Sequence, residues 1–97
     1  MLRTHTCNEL SIKNIGENVT IAGWIDTIRD HGGVLFLDLR DNTETLQAVS
    51  NDDSIFLGLA KESVVRLTGT IRKRDEETFN ERIKTGEVEL LVSFAGT

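Results

Sequence analysis

Residues 29–41 read RDHGGVLFLDLRD, and the alternation inside this stretch decides how the chain folds. Successive side chains of a strand point to opposite faces, so Leu35, Leu37 and Leu39 share one face and Val34, Phe36, Asp38 and Arg40 the other. The leucines serve a core. A large aromatic set beside an aspartate and an arginine on the opposite face requires a separate explanation.

Working outward, the preceding stretch VTIAGWIDTIRD, residues 19–30, is rich in β-branched residues and carries Gly23 inside a strand pattern. An interior glycine of that kind marks a bulge or a sharp bend, as at a barrel corner. The HGG link joins this strand to a second at Val34–Asp41, and DNTE joins that to a third at Thr45–Ser50, making a hairpin. Before them, a short helical segment is expected near Thr6–Leu10 and a turn in KNIGENV. In residues 51–62, NDDSIFLGLAKE, the period changes. Ile55, Leu59 and Phe56 fall at helical spacing behind Asp52, Asp53 and Ser54, which are good N-cap types, and predict one helix. A fourth strand follows in VVRLTGTIRKR, with Val65, Leu67 and Ile71 opposed to Arg66, Thr68, Thr70, Arg72 and Arg74. After a polar loop over residues 75–86, a fifth strand, EVELLVSF, sets Val88, Leu90, Val92 and Phe94 against Glu87, Glu89, Leu91 and Ser93. Trp24 and Phe94 are expected in the core, and Phe79 lies in the loop.

Three strands, a helix and two strands is the order of the OB fold, a five-stranded Greek-key barrel whose second and third strands commonly face oligonucleotides. The expected class is therefore all-β, with one helix between strands three and four; a five-stranded sandwich is the structural alternative. Ninety-seven residues suffice for one such domain, taken as residues 1–97, and leave no room for a second with its own cleft. No apolar run approaches the roughly 20 residues of a membrane span. The opening MLRTHTCNEL lacks a secretory apolar segment. Cys7 stands alone, which excludes an intramolecular disulfide and agrees with a cytoplasmic protein. His5, Cys7 and His31 are too few and too scattered for a zinc site.

The formal charge of −5 argues against tight, unspecific binding to duplex DNA, so neither DNA nor a membrane is expected as a partner. Local charge differs from net charge, however. Residues 64–84 hold six basic and four acidic side chains, whereas residues 37–63 hold two basic and six acidic. If the leucine parity faces inward, the outward face carries Phe36, Gln47, Arg66, Arg72, Arg74 and Glu89, with Arg29 at the end of the first strand. An aromatic ring among hydrogen-bonding groups suits single-stranded nucleic acid: the ring stacks on an unpaired base while arginine, glutamine and glutamate read its edge. Two other readings of the same face stay open at this level, a solvated surface and a protein-interaction surface. Catalytic signals are lacking: there is no GxxxxGK[ST] loop, and the carboxylates form no recognisable acid/base pair.

The segments GWIDTIRDHGGVLFLDLRD, LQAV, TGTIRKRDEETFN and TGEVELL resemble, in order and spacing, the N-terminal anticodon-binding domain of bacterial-type aspartyl-tRNA synthetases, and the opening RTHTCNEL is similar to that family's start. The DHGG link favours this family over the related lysyl and asparaginyl synthetases. The resemblance implies an OB domain that grips the anticodon loop of aspartate tRNA. It also implies a homodimeric class II ligase as the parent enzyme, using ATP and magnesium to activate aspartate. This segment itself has no cofactor and no adenylate-site motifs, so it is expected not to aminoacylate. Residue by residue, Phe36 corresponds to the aromatic on which the central anticodon base stacks, and Gln47 to a hydrogen-bonding residue beside it. Arg29, Arg74 and Glu89 correspond to positions contacting anticodon bases or adjacent backbone, and Arg72 is carried over with them. One departure is the DNTE turn, which lacks the glycine the family often places there. The rival functions are a general single-strand-binding OB module and a protein-interaction OB domain.

Overall fold

The computed structural model describes residues 4–50, 64–75 and 86–96. The helix expected in residues 51–62 lies outside them, as do Phe79 and most of the polar loop expected over residues 75–86. Five strands, β1 (Asn18–His31), β2 (Val34–Arg40), β3 (Thr45–Ser50), β4 (Val64–Lys73) and β5 (Val88–Gly96), close into a barrel in the order β1-β2-β3-β5-β4. All pairings are antiparallel except β3 with β5, which is parallel. Among the described residues no helix is long and apolar enough to cross a membrane.

The alternation in β2 has the expected consequence. Leu37 and Leu39 are fully buried, and Leu35 packs at the edge of the same core with Ile21, Ile25, Leu46, Leu67, Ile71 and Leu90. A barrel rather than a sandwich forms because β1 serves two partners in succession: residues 18–24 pair with β4, and residues 24–31 pair with β2. Gly23 makes that change of partner possible, since a Cβ there would collide with the Arg40 carbonyl. Gly32 and Gly33, both at positive φ, then turn the chain into β2.

Two bulges break the alternation, and the second overturns an expectation. A register shift between Ile25 and Thr27 inverts the parity of β1, and another at Thr68/Gly69 of β4 faces the extra Ser93 of β5. Because of the second, Phe94 pairs with Thr68 on the outer surface and is 54% exposed instead of joining the core. Trp24 is also not in the core: it is half-buried on the outer side, with the Arg40 guanidinium 5.1 Å from its ring centroid.

Two 3₁₀ turns, Cys7–Glu9 and Ile12–Asn14, precede β1. The first buries Cys7 and Leu10 against the core and meets the β2–β3 turn. There the Asp41 carboxylate organises the DNTE segment without a glycine. Oδ1 accepts from the backbone N–H of Thr43 (2.7 Å) and Glu44 (3.1 Å), while Oδ2 accepts from the N–H of Cys7 (2.8 Å). An aspartate bonding its own turn in this way supplies the chain reversal. Burial alone raises the Asp41 pKa, but these donors and the Thr43 hydroxyl outweigh it and bring the carboxyl down to about 2. The neighbouring Cys7 thiol is pushed up to about 12 by burial and by the Asp41 charge, and stays protonated.

Replacing Gly23 by alanine is expected to destabilise the barrel by about 1–3 kcal/mol in urea unfolding. Asp41→Asn should cost about 2 kcal/mol at neutral pH. Because the folded pKa lies below the unfolded one, that contribution is complete above about pH 4 and lost as pH falls toward 2, so the two proteins should converge in stability in acid.

Candidate nucleic-acid interface

The register that buries the leucines brings four outward residues into one row. Asp38 of β2 lies opposite Gln47 of β3, Gln47 opposite Glu89 of β5, and Glu89 opposite Arg72 of β4; Thr27 of β1 faces Asp38 from the other side. Neighbouring strands lie only about 4.8 Å apart, so these side chains touch. Gln47 donates from Nε2 to Glu89 Oε1 at 2.8 Å, and Arg72 donates from Nε to Glu89 Oε2 at 2.6 Å. Arg29, brought outward by the β1 bulge, donates from Nη1 to Asp38 Oδ2 at 2.7 Å and from Nη2 to Asp38 Oδ1 at 3.3 Å. It also reaches Gln47 Oε1 at 3.4 Å. Receiving from Arg29 on one side and donating to Glu89 on the other, the Gln47 amide has its orientation set by both neighbours.

The next row around the barrel is more apolar. Arg29 pairs with Phe36, Phe36 with Val49, Val49 with Leu91, and Leu91 with Thr70. Phe36 is half-buried, and Leu91 is exposed. A partly open aromatic therefore borders a hydrogen-bonded row of charges.

Of the six residues expected at the site, Arg29, Gln47, Glu89 and Arg72 are joined by direct bonds, and Phe36 is Arg29's cross-strand neighbour. Arg74 follows β4, where its backbone N–H donates to the Glu87 carbonyl at 2.9 Å. Its side-chain Nε is buried without a hydrogen-bond partner. Burial lowers the Arg74 pKa, against the opposing charges of Glu89 and Asp38 and with that of Arg29. Arg66 does not belong to this group. It pairs with Ala22 and Gly96, about 20 Å along the strand from Arg72.

Thr27 and Asp38 are part of the site without having been singled out for it. Asp38 was legible as an outward residue of β2. Thr27 was hidden, since simple alternation gives the outward direction to Asp26. Burial raises the Asp38 pKa, but the Arg29 and Thr27 hydrogen bonds more than offset this and hold the carboxyl below its ordinary range. The same pairing raises Arg29. Three guanidiniums against two carboxylates leave this face locally positive on a chain of formal charge −5.

Glu89→Ala is expected to lose about 1–3 kcal/mol of stability because the buried Gln47 amide is left without its acceptor. Arg72, 45% exposed, should cost less than about 1 kcal/mol when replaced by alanine. Urea unfolding of the two variants checks the order.

Comparison with known proteins agrees with this geometry. The model of the OB-fold nucleic acid binding domain, tRNA anticodon type, matches residues 19–94. The chain is 51% identical over 90 residues to an aspartate–tRNA ligase of Pseudothermotoga lettingae, which covers 93% of this chain and 15% of the ligase. It is 52% identical over 95 residues to an aspartate–tRNA(Asp/Asn) ligase of Bradyrhizobium sp., covering 94% of this chain and 16% of that protein. These matches fall in the N-terminal region of such ligases. Asparaginyl-tRNA synthetase from Pyrococcus horikoshii superimposes with a TM-score of 0.78 at 27% identity, over 99% of this chain and 23% of that one. The chain thus spans about 15% of the length of the curated relatives it matches.

Proposed function

Since the chain belongs to the OB-fold nucleic acid binding domain family of the tRNA anticodon type, we propose that it is the anticodon-recognition domain of an aspartate–tRNA ligase and binds the anticodon loop of aspartate tRNA. The observation that carries this reading is the placement of Phe36 beside the bonded row of Arg29, Asp38, Gln47, Glu89 and Arg72 on one outer face. The mechanism is recognition rather than bond-making. Anticodon bases splay out, and the central one stacks on Phe36. Gln47 and Glu89 test base edges, where a buried amide and carboxylate penalise a partner that cannot complete their hydrogen bonds. Arg74 adds a third guanidinium charge near Glu89 and Asp38, and together with Arg29 and Arg72 it attracts adjacent phosphates.

In this reading residues 1–97 are the recognition domain of a longer, homodimeric cytoplasmic enzyme. Aspartate activation with ATP and magnesium takes place in the remainder of that enzyme. Among the described residues no group of three or more His, Cys, Asp or Glu is placed to hold a metal ion.

Titration of the chain with aspartate anticodon stem-loops, matched and with the central base changed, tests the proposal. The matched loop should bind more tightly, and Phe36→Ala should weaken it about tenfold or more, in line with stacking of about 1–3 kcal/mol per base. Equal affinity for all loops would instead identify a general single-strand binder. Failure to bind RNA even at low salt would favour a protein-interaction domain.

A further inference from the structure

We infer that Asp38 is a positioning residue for RNA recognition, holding Arg29 in a fixed place beside Phe36; the inference rests on the anticodon-binding reading above. The starting point is an apparent contradiction. A surface that meets a polyanion carries an ionised carboxylate near its centre, on the outward side of β2 between Phe36 and Arg40. By Coulomb's law that charge repels phosphate. Asp38, like Glu89, has both oxygens engaged within the protein, but the guanidinium it holds is that of Arg29, the cross-strand neighbour of Phe36. Oδ2 accepts from Arg29 Nη1 and from the Thr27 hydroxyl at 2.6 Å, and Oδ1 accepts from Arg29 Nη2.

The pair is a two-pronged guanidinium–carboxylate contact, which fixes direction as well as distance. Thr27 holds the carboxylate from behind, and it does so only because the β1 bulge shifts the register so that Thr27 and Arg29 face Asp38 and Phe36. The bulge, the threonine, the aspartate and the arginine are thus one device. Nη1 is also bonded to Thr27 and Nη2 to Gln47, so four of the five guanidinium donors of Arg29 are committed inside the protein. Arg29 therefore offers RNA a held positive charge and a flat surface rather than a free hydrogen-bonding fork. Ordering a long side chain before the ligand arrives removes that cost from binding, which outweighs the repulsion introduced by the aspartate.

The two roles predict opposite signs for Asp38→Asn, measured on the 97-residue chain with the matched aspartate anticodon stem-loop and the loop changed at its central base. Positioning predicts about five- to tenfold weaker binding of the matched loop and a smaller preference for it. In an Arg29→Gln background the same change should have no further effect, because it acts through Arg29. Tighter binding by Asp38→Asn, or losses that simply add, would overturn the inference. Thermal unfolding establishes that each variant is folded at the binding temperature. Should Asp38→Asn melt below it, Thr27→Val takes its place, with about a twofold loss expected and an unchanged or higher affinity counting against. Phe36→Ala separates the levels: no effect there defeats the anticodon reading, whereas a loss there combined with a gain in Asp38→Asn defeats the positioning role alone.

Discussion

Closure of the barrel by the parallel β3–β5 pair is the constraint on which the rest of this structure depends. It puts Ala48 opposite Leu90 inside and Gln47 opposite Glu89 outside. A shift of one residue would move every side chain of either strand to the other face. The apolar inner register therefore fixes the polar outer one. Asp38 and Arg72 complete the row from the flanking strands, and the only carboxylate–amide pair at its centre stands 6–7% exposed among the described residues.

That row also explains how an acidic chain can serve a nucleic acid. The site does not rely on a broad basic field. Two of its three guanidiniums, those of Arg29 and Arg72, are paired with carboxylates that hold them in place. Such a surface sacrifices unspecific phosphate attraction and gains geometric discrimination, because a mismatched base leaves fixed polar groups without partners.

A second carboxylate device holds the other end of the barrel. Asp41 ties the β2–β3 turn to the 3₁₀ turn at Cys7, so a residue type that would be costly when buried alone is stabilised by converging N–H donors. Asp38 and Asp41, three residues apart in one strand and the turn after it, thus use the same physical rule for different ends. One orders a binding surface and the other ends a hairpin.

The amino-acid sequence by itself determined the strands, the inward leucines and the outward Phe36, Gln47, Glu89 and Arg72, because period-two alternation is a local property that follows from the pleat. The match to the anticodon-binding family was legible there too, in the continuous segments flanking RDHGG. Tertiary structure alone decided where that alternation breaks. Phe94 leaves the core, and Thr27 joins the site, because each bulge is set by how a strand must bend to meet a second partner. It also decided which charges meet: Arg72 and Glu89 are 17 residues apart and Gln47 and Glu89 are 42, and their bonding follows from the closed order of the strands, which no local pattern encodes.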